Sequence, residues 1–102
     1  MKVIFTPEAA EALAELHHYI EEAASKVVAK RYVAEVVKFC ESMGEFAPER
    51  GNRRDDLRPG LRVTNYKRRV VIAFAVELDQ VAIIGVFSGG QDYETILDDQ
   101  QH

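Results

Sequence analysis

Arg69–Phe87, RVVIAFAVELDQVAIIGVF, is the stretch whose reading decides the fold. Two apolar runs, Val70–Val76 and Val81–Phe87, flank the polar tetrapeptide Glu77-Leu78-Asp79-Gln80. β-Branched and aromatic residues dominate, and each run has the length of a strand rather than of a helix. A turn of this length predicts an antiparallel hairpin. Val70, Ile72, Phe74 and Val76 fall on one face, and Val71, Ala73 and Ala75 on the other. A strand that is apolar on both faces lies inside a sheet and is covered on both sides. The rest of the chain must cover this hairpin, extend it, or use it as a platform.

Working outward, Leu61–Tyr66 alternates Leu61, Val63, Asn65 against Arg62, Thr64, Tyr66. That is a half-buried strand with one side left for polar chemistry. Asn65-Tyr66-Lys67-Arg68 turns it into the hairpin. Upstream, 46–60 is the longest irregular stretch, with the turn-formers Pro48, Gly51, Asn52, Pro59 and Gly60. Downstream, Ser88-Gly89-Gly90 breaks the last strand, 92–97 suits one or two helical turns, and 98–102 is expected to fray. The Gly89-Gly90 pair lacks the spacing of a phosphate or dinucleotide loop.

The N-terminal half reads as strand, helix, helix. Lys2–Phe5 is a short apolar run, expected to add a strand to the same sheet at a position the sequence does not specify. Thr6-Pro7-Glu8 opens a helix: Thr6 caps, Pro7 suits the first turn, and Glu8 meets the positive end of the dipole. Ala9, Leu13, Leu16 and Ile20 recur at helical spacing, against Glu8, Glu11, Glu15 and Glu22. Ser25 caps a second helix, whose stripe runs through Tyr32, Val36, Phe39, Cys40 and Met43 and which Gly44 is expected to end. The short connection at Ala24–Ser25 predicts an antiparallel helical hairpin. The expected fold is α+β: an N-terminal strand, the helical hairpin, a three-stranded antiparallel sheet and a short C-terminal helical tail, in one domain over 1–102. The helices cover one face of the sheet, and the other face is the expected working surface.

Composition narrows the function. The 102 residues include one cysteine, Cys40, which rules out an internal disulfide or multi-cysteine zinc site and points to a reducing compartment. No stretch approaches the roughly 20 apolar residues of a membrane span. The start, MKVIFTPEAAE, turns acidic too early for a signal peptide, so a cytoplasmic location is expected and no membrane association. Neither cofactor nor metal is expected. His17 and His18 sit mid-helix without a ligand at a useful spacing, His102 is terminal, and Cys40 lies on an apolar stripe.

Charge is the sharpest feature. The net charge of −4 conceals a belt at residues 50–69 with 8 Lys/Arg against 2 Asp, between acidic flanks. The belt comprises Arg50, Arg53, Arg54, Arg58, Arg62, Lys67, Arg68 and Arg69. Guanidinium forks on a rigid strand suit carboxylate or phosphate, which predicts an anionic partner, acidic protein or nucleic acid. The alternative is that these cations pair with the acidic helices. Arginine, lysine and tyrosine without histidine also suit orientation and protonation of an RNA phosphodiester, with Arg58, Arg62, Lys67 and Tyr93 as the candidate site.

The segment DDLRPGLRVTNYKRRVVIAFAVELDQVAIIGVFSGGQDYETIL resembles the C-terminal half of the RelE/ParE superfamily of toxins from bacterial toxin–antitoxin systems, and FTPEAAEALAELHHYI is similar to its first strand-to-helix passage. The likeness rests on the Leu57–Arg62 stretch, the double apolar hairpin and the Gly90–Glu94 tail. The resemblance implies one of two activities. ParE-like members are associated with inhibition of DNA gyrase and are not thought to be nucleases. RelE-like members cut messenger RNA on the ribosome. The tail GVFSGGQDYETIL resembles the ParE-like branch, and Ser88 stands where many relatives place a histidine. The resemblance further implies a hetero-oligomer with a ParD-like antitoxin whose acidic tail folds on binding. A third possibility is a non-toxic protein-binding module.

Overall fold

The computed structural model describes the backbone of residues 1–46, 50–88 and 91–101, and the side chains within those ranges except 46 and 98–101. The elements are β1 (Lys2–Phe5), α1 (Pro7–Ala23), α2 (Lys26–Phe46), β2 (Asn52–Arg53), β3 (Leu61–Tyr66), β4 (Val70–Val76), β5 (Gln80–Ser88) and α3 (Tyr93–Gln101). Five strands form one mixed sheet in the order β1-β5-β4-β3-β2. β1 pairs parallel to β5, and the other neighbours are antiparallel. The parallel pairing settles the position of the first strand, at the edge beyond β5. β2 is an additional two-residue edge strand inside the stretch expected to be irregular.

Both helices start as their sequences predict. The Thr6 hydroxyl accepts from the Ala9 N–H at 3.2 Å and also donates to the Ile84 carbonyl, so one residue caps α1 and ties it to β5. The Ser25 hydroxyl accepts from the Val28 N–H. Gly44 does not end α2, which continues to Phe46. The N-terminal amine donates to the Gly44 carbonyl at 2.7 Å. A Cβ on Gly44 would lie 2.3 Å from the Met1 carbonyl oxygen, so this glycine admits β1 alongside the helix.

The sheet has two cores. Toward α1 and α2, Val70, Ile72, Phe74, Val81, Ile83 and Val86 pack with Ala9, Leu16, Val36, Cys40 and Met43. On the opposite face Leu61, Val63, Ala73, Ile84 and Phe87 pack with Leu57 and with Leu97 of α3. The parity read for β4 holds. In β5 it reverses part-way, because a bulge opposite Ala73/Phe74 inserts Ile84 between the partners of those two residues. Val81 and Ile83 therefore face the helices, Ile84 and Phe87 face away, and Val86 returns to the helix side. At Gly85 a Cβ would come within 2.5 Å of the Phe87 ring, so the strand must be bare where that ring folds back over it.

Two further sequence expectations are overturned. The face away from the helical hairpin is not open: Leu57 and α3 cover it, because β4 and β5 leave apolar side chains there that water would otherwise meet. α3 also runs past Leu97 to Gln101, where fraying was expected. The expected break at Gly89-Gly90, along with Pro48 and His102, lies outside the described residues.

The turn between β3 and β4 is unusual. Lys67 and Arg68 have φ of 50° and 61°, and the Arg69 N–H donates to the Tyr66 carbonyl at 3.1 Å. Two consecutive positive φ values are the geometry of a type I′ hairpin turn, a position that favours Asn-Gly. Side chains with a Cβ are strained there by roughly 1–2 kcal/mol per residue.

Two stability predictions follow from this packing. Replacing Lys67-Arg68 by Asn-Gly is expected to raise unfolding stability by about 1–2 kcal/mol, read as a higher denaturant midpoint at unchanged slope. Phe74→Ala, at a fully buried position, is expected to lower stability by about 3–5 kcal/mol in the same measurement.

Candidate functional site

Strand parity distributes the cationic belt. Arg62 is directly opposite Phe74 on β4 and Arg53 on β2, so both arginines share the side of the sheet that carries the helices. Arg54 is next along the chain and turns to the other side. Its guanidinium donates to both oxygens of Asp56 at 3.0 and 2.9 Å, to Glu94 at 2.6 Å and to the Tyr93 hydroxyl at 3.0 Å. Arg54 is thus a clasp joining the 50–60 segment to α3, and the hydrogen bonds to Asp56 and Glu94 hold its charge more firmly still. The Tyr93 ring leans on Phe87 with centroids 6.1 Å apart.

The other cations fall into two groups at opposite ends of β3. At the start of the strand, Arg53 forms a forked pair with Asp55. The Asp55 carboxyl is held below its usual range by that hydrogen bond first, then by the Gly60 N–H and the charges of Arg53 and Arg62. Arg58 is exposed beside Pro59. Arg50 lies toward the other end of β3: it donates to the Ser42 hydroxyl at 2.9 Å and sits 5.5 Å from the ring centroid of Phe39, which itself packs on Tyr66. Five residues further along β3, about 17 Å at strand rise, stand Lys67, Arg68 and Arg69 on the hairpin turn. The Lys67 ammonium lies 3.9 Å from Glu35 of α2 and 5.4 Å from the Tyr66 ring centroid. Among the described residues, Arg58, Arg62, Arg68 and Arg69 take part in no ion pair.

The belt is therefore not one patch. The ion pairs that do form use Asp55, Asp56 and Glu94, with Glu35 of α2 near Lys67. The alternative of pairing with acidic groups thus holds for part of the belt, mostly through carboxylates close in sequence or on α3. Arg62 and Tyr93, two members of the candidate nuclease set, lie on opposite sides of the sheet, and the Tyr93 hydroxyl is occupied by Arg54. Arg58 and Lys67 are at opposite ends of β3. The four residues are not assembled around one point. Arg54 was read only as one cation of the belt. Its role as a clasp was foreshadowed by Asp55-Asp56 beside it, but the pairing with Glu94 is 40 residues distant and invisible to local reading.

A groove lies elsewhere, between α1, β5 and α3, where Glu8, Glu11 and Glu15 stand beside Leu16, Tyr19 and Val86. None of the belt's cations lines it, and three glutamates do. His17 is half-buried, while His18 is exposed and 3.2 Å from Glu22. Cys40 is fully buried, and burial, then the neighbouring Glu41 charge, pushes its thiol up to about 12, so it stays protonated and unreactive. No group of three or more His, Cys, Asp or Glu side chains placed to hold a metal occurs among the described residues. No helix among them is long and apolar enough to cross a membrane.

The chain matches, over residues 3–93, the family profile described as the ParE toxin of type II toxin–antitoxin systems, parDE. This protein belongs to the ParE toxin family. Its fold is similar to that of a solved chain from the chromosomal ParDE toxin–antitoxin system of P. aeruginosa, with a TM-score of 0.76 and 19% sequence identity, over 86% of this chain and 95% of that one. Comparison with curated proteins gives no sequence match. In this ParE toxin the strand–helix–helix–sheet order is accompanied by a two-sided core and a clasped C-terminal helix. The fold thus accords with the resemblance read in the sequence.

The clasp has a pH signature. The Asp56 carboxyl is held low by its hydrogen bond to Arg54, Asp55 by Arg53, and Asp92 by the side chain and N–H of Thr95. Folded values below unfolded ones give stability that is present above the unfolded pKa, about 3.9, and lost as pH falls through the folded values. Denaturant midpoints are expected to be level from about pH 7 to 5 and to drop below about pH 4. In Arg54→Ala that acid-side drop shrinks, because Asp56 loses the hydrogen bond that does most to hold its carboxyl low. Amide exchange in α3 should then speed up at neutral pH while β4 and β5 stay protected.

Proposed function

We propose that this ParE toxin inhibits DNA gyrase in the cytoplasm, without catalysing a reaction itself, and is neutralised in a hetero-oligomer with a ParD-like antitoxin. The observation that carries this reading over ribosome-dependent messenger RNA cleavage is the separation of Arg62 from Tyr93 by the thickness of the sheet. A phosphodiester held for cleavage needs its cationic and proton-donating groups around one phosphate. Here the tyrosine hydroxyl serves a structural clasp, and Ser88 occupies the position where many RelE/ParE relatives carry histidine.

An acidic antitoxin tail is drawn to the loop end of β3, where Arg53 and Arg62 lie opposite each other, Arg58 is exposed nearby and the β2 edge is short. A tail that is unstructured alone and folds on the toxin gains affinity from apolar contacts and specificity from these cations. Isothermal titration with the antitoxin encoded beside this gene is expected to show binding that weakens as salt rises. Salt-independent binding, or none, would remove the electrostatic part of the reading.

Purified toxin is expected to inhibit supercoiling by gyrase, and its expression without antitoxin to cause filamentation with DNA-damage induction. Prompt translation arrest with codon-position cleavage would establish the nuclease instead, and absence of any growth defect a protein-binding module without toxicity. Arg62→Ala is expected to weaken gyrase inhibition at least several-fold while changing stability by no more than about 0.5 kcal/mol, since Arg62 makes no ion pair and faces Arg53. A steep fall in melting temperature with toxicity intact would show that this arginine is structural.

A further inference from the structure

The β3–β4 turn combines two features that neither the family nor the gyrase reading accounts for. It is strained, with Lys67 and Arg68 both at positive φ where glycine and asparagine are favoured. It is also cationic, with Lys67, Arg68 and Arg69 consecutive and exposed. Strain of this kind persists where the surrounding structure over-determines it, and it clusters at sites that use it. The ladder supplies the rigidity: Tyr66 pairs with Val70, and the Arg69 N–H closes the turn on Tyr66. Tyr66 is anchored from below by Phe39, at 5.1 Å between ring centroids, and by its hydroxyl donating to Glu35. The three cations are therefore presented on a fixed tip.

The chemistry of the tip favours one class of partner. A protein interface needs an apolar centre, and the turn offers none: Val70 is buried, Tyr66 is packed against the helices, and none of the exposed large apolar residues lies between 66 and 70. Contacts to nucleic-acid backbone need only cations and N–H groups. Glu35 stands near Lys67 alone, leaving Arg68 and Arg69 without an ion pair among the described residues. The glutamates of α1 repel an extended polyanion from that side of the molecule, and a hairpin tip reaches only a few phosphates.

We propose that the Lys67-Arg68-Arg69 turn is a phosphate-backbone contact, through which the toxin holds nucleic acid. The turn's binding chemistry is independent of which enzyme the toxin inhibits. The test is fluorescence anisotropy at 50 mM salt with a labelled 24-base-pair DNA duplex and with a single-stranded RNA of 24 nucleotides. The wild-type chain is expected to bind at least one of them, and the stronger of the two identifies the source of the phosphates. Lys67→Asn/Arg68→Gly relieves the turn and is expected to fold with a raised melting temperature, yet to bind about tenfold more weakly. Its salt dependence should be shallower by about one to two counterions. Lys67→Arg/Arg68→Lys, which keeps both charges, should retain binding within about threefold.

Absence of wild-type binding to either probe overturns the proposal, as does equal binding by the Asn-Gly variant. Competition by polyglutamate as effective as that by unlabelled nucleic acid also overturns it, and points to an acidic protein partner. Gyrase inhibition is scored separately on the same variants. Turn-dependent binding to the probes without inhibition of gyrase by the wild type would sink the gyrase reading and leave the turn's assignment standing. The reverse outcome separates the two in the other direction.

Discussion

β4 and β5 have no polar face. Phe74, Ile72 and Val70 look toward the helices, while Ala73, Ile84 and Phe87 look away. A hairpin of this kind must be covered on both sides, and each part of the chain contributes to that covering. The helical hairpin supplies one cover with two long amphipathic elements. The second cover is far smaller: nine residues of α3 and the single side chain of Leu57. A helix that short has little stability of its own in water. It is held by Leu97 in the second core and by the Arg54 clasp to Glu94 and Tyr93.

The same constraint governs the cations. Alternation along β2 and β3 sends neighbouring arginines to opposite sides, so a belt continuous in sequence becomes a clasp, a loop-end group and a turn-end group in space. Arg54 is committed to structure, and Arg53 is balanced by Asp55. Arg58, Arg62, Arg68 and Arg69 take part in no ion pair among the described residues. Glu8, Glu11 and Glu15 in the groove beside α1 give the molecule a second, opposite electrostatic character.

Membership of the ParE family and 19% identity to a structurally similar chain show how little sequence this architecture requires. A demand for two covered faces is one that many apolar combinations satisfy. The surface groups are free to differ, and within such a superfamily activity resides in those groups rather than in the fold. Here the Tyr93 hydroxyl is engaged by Arg54 at the edge of the second core.

Much was legible from local pattern because local physics sets it. The apolar period of β4, the Thr6 and Ser25 caps, the stripes of α1 and α2 and the order of the elements follow from side-chain spacing and backbone donors within a few residues. The family likeness was carried by the same segments. Other features depend on contacts distant in the chain: the parallel seat of β1 against β5, the bulge that reverses β5, the passage of Gly44 beside Met1, the cover provided by α3 and the partners of Arg54. A run of like charges shows that cations exist. Only the register of the strands decides which side of the sheet each one occupies, because a step of one residue along a strand is a step from one face to the other.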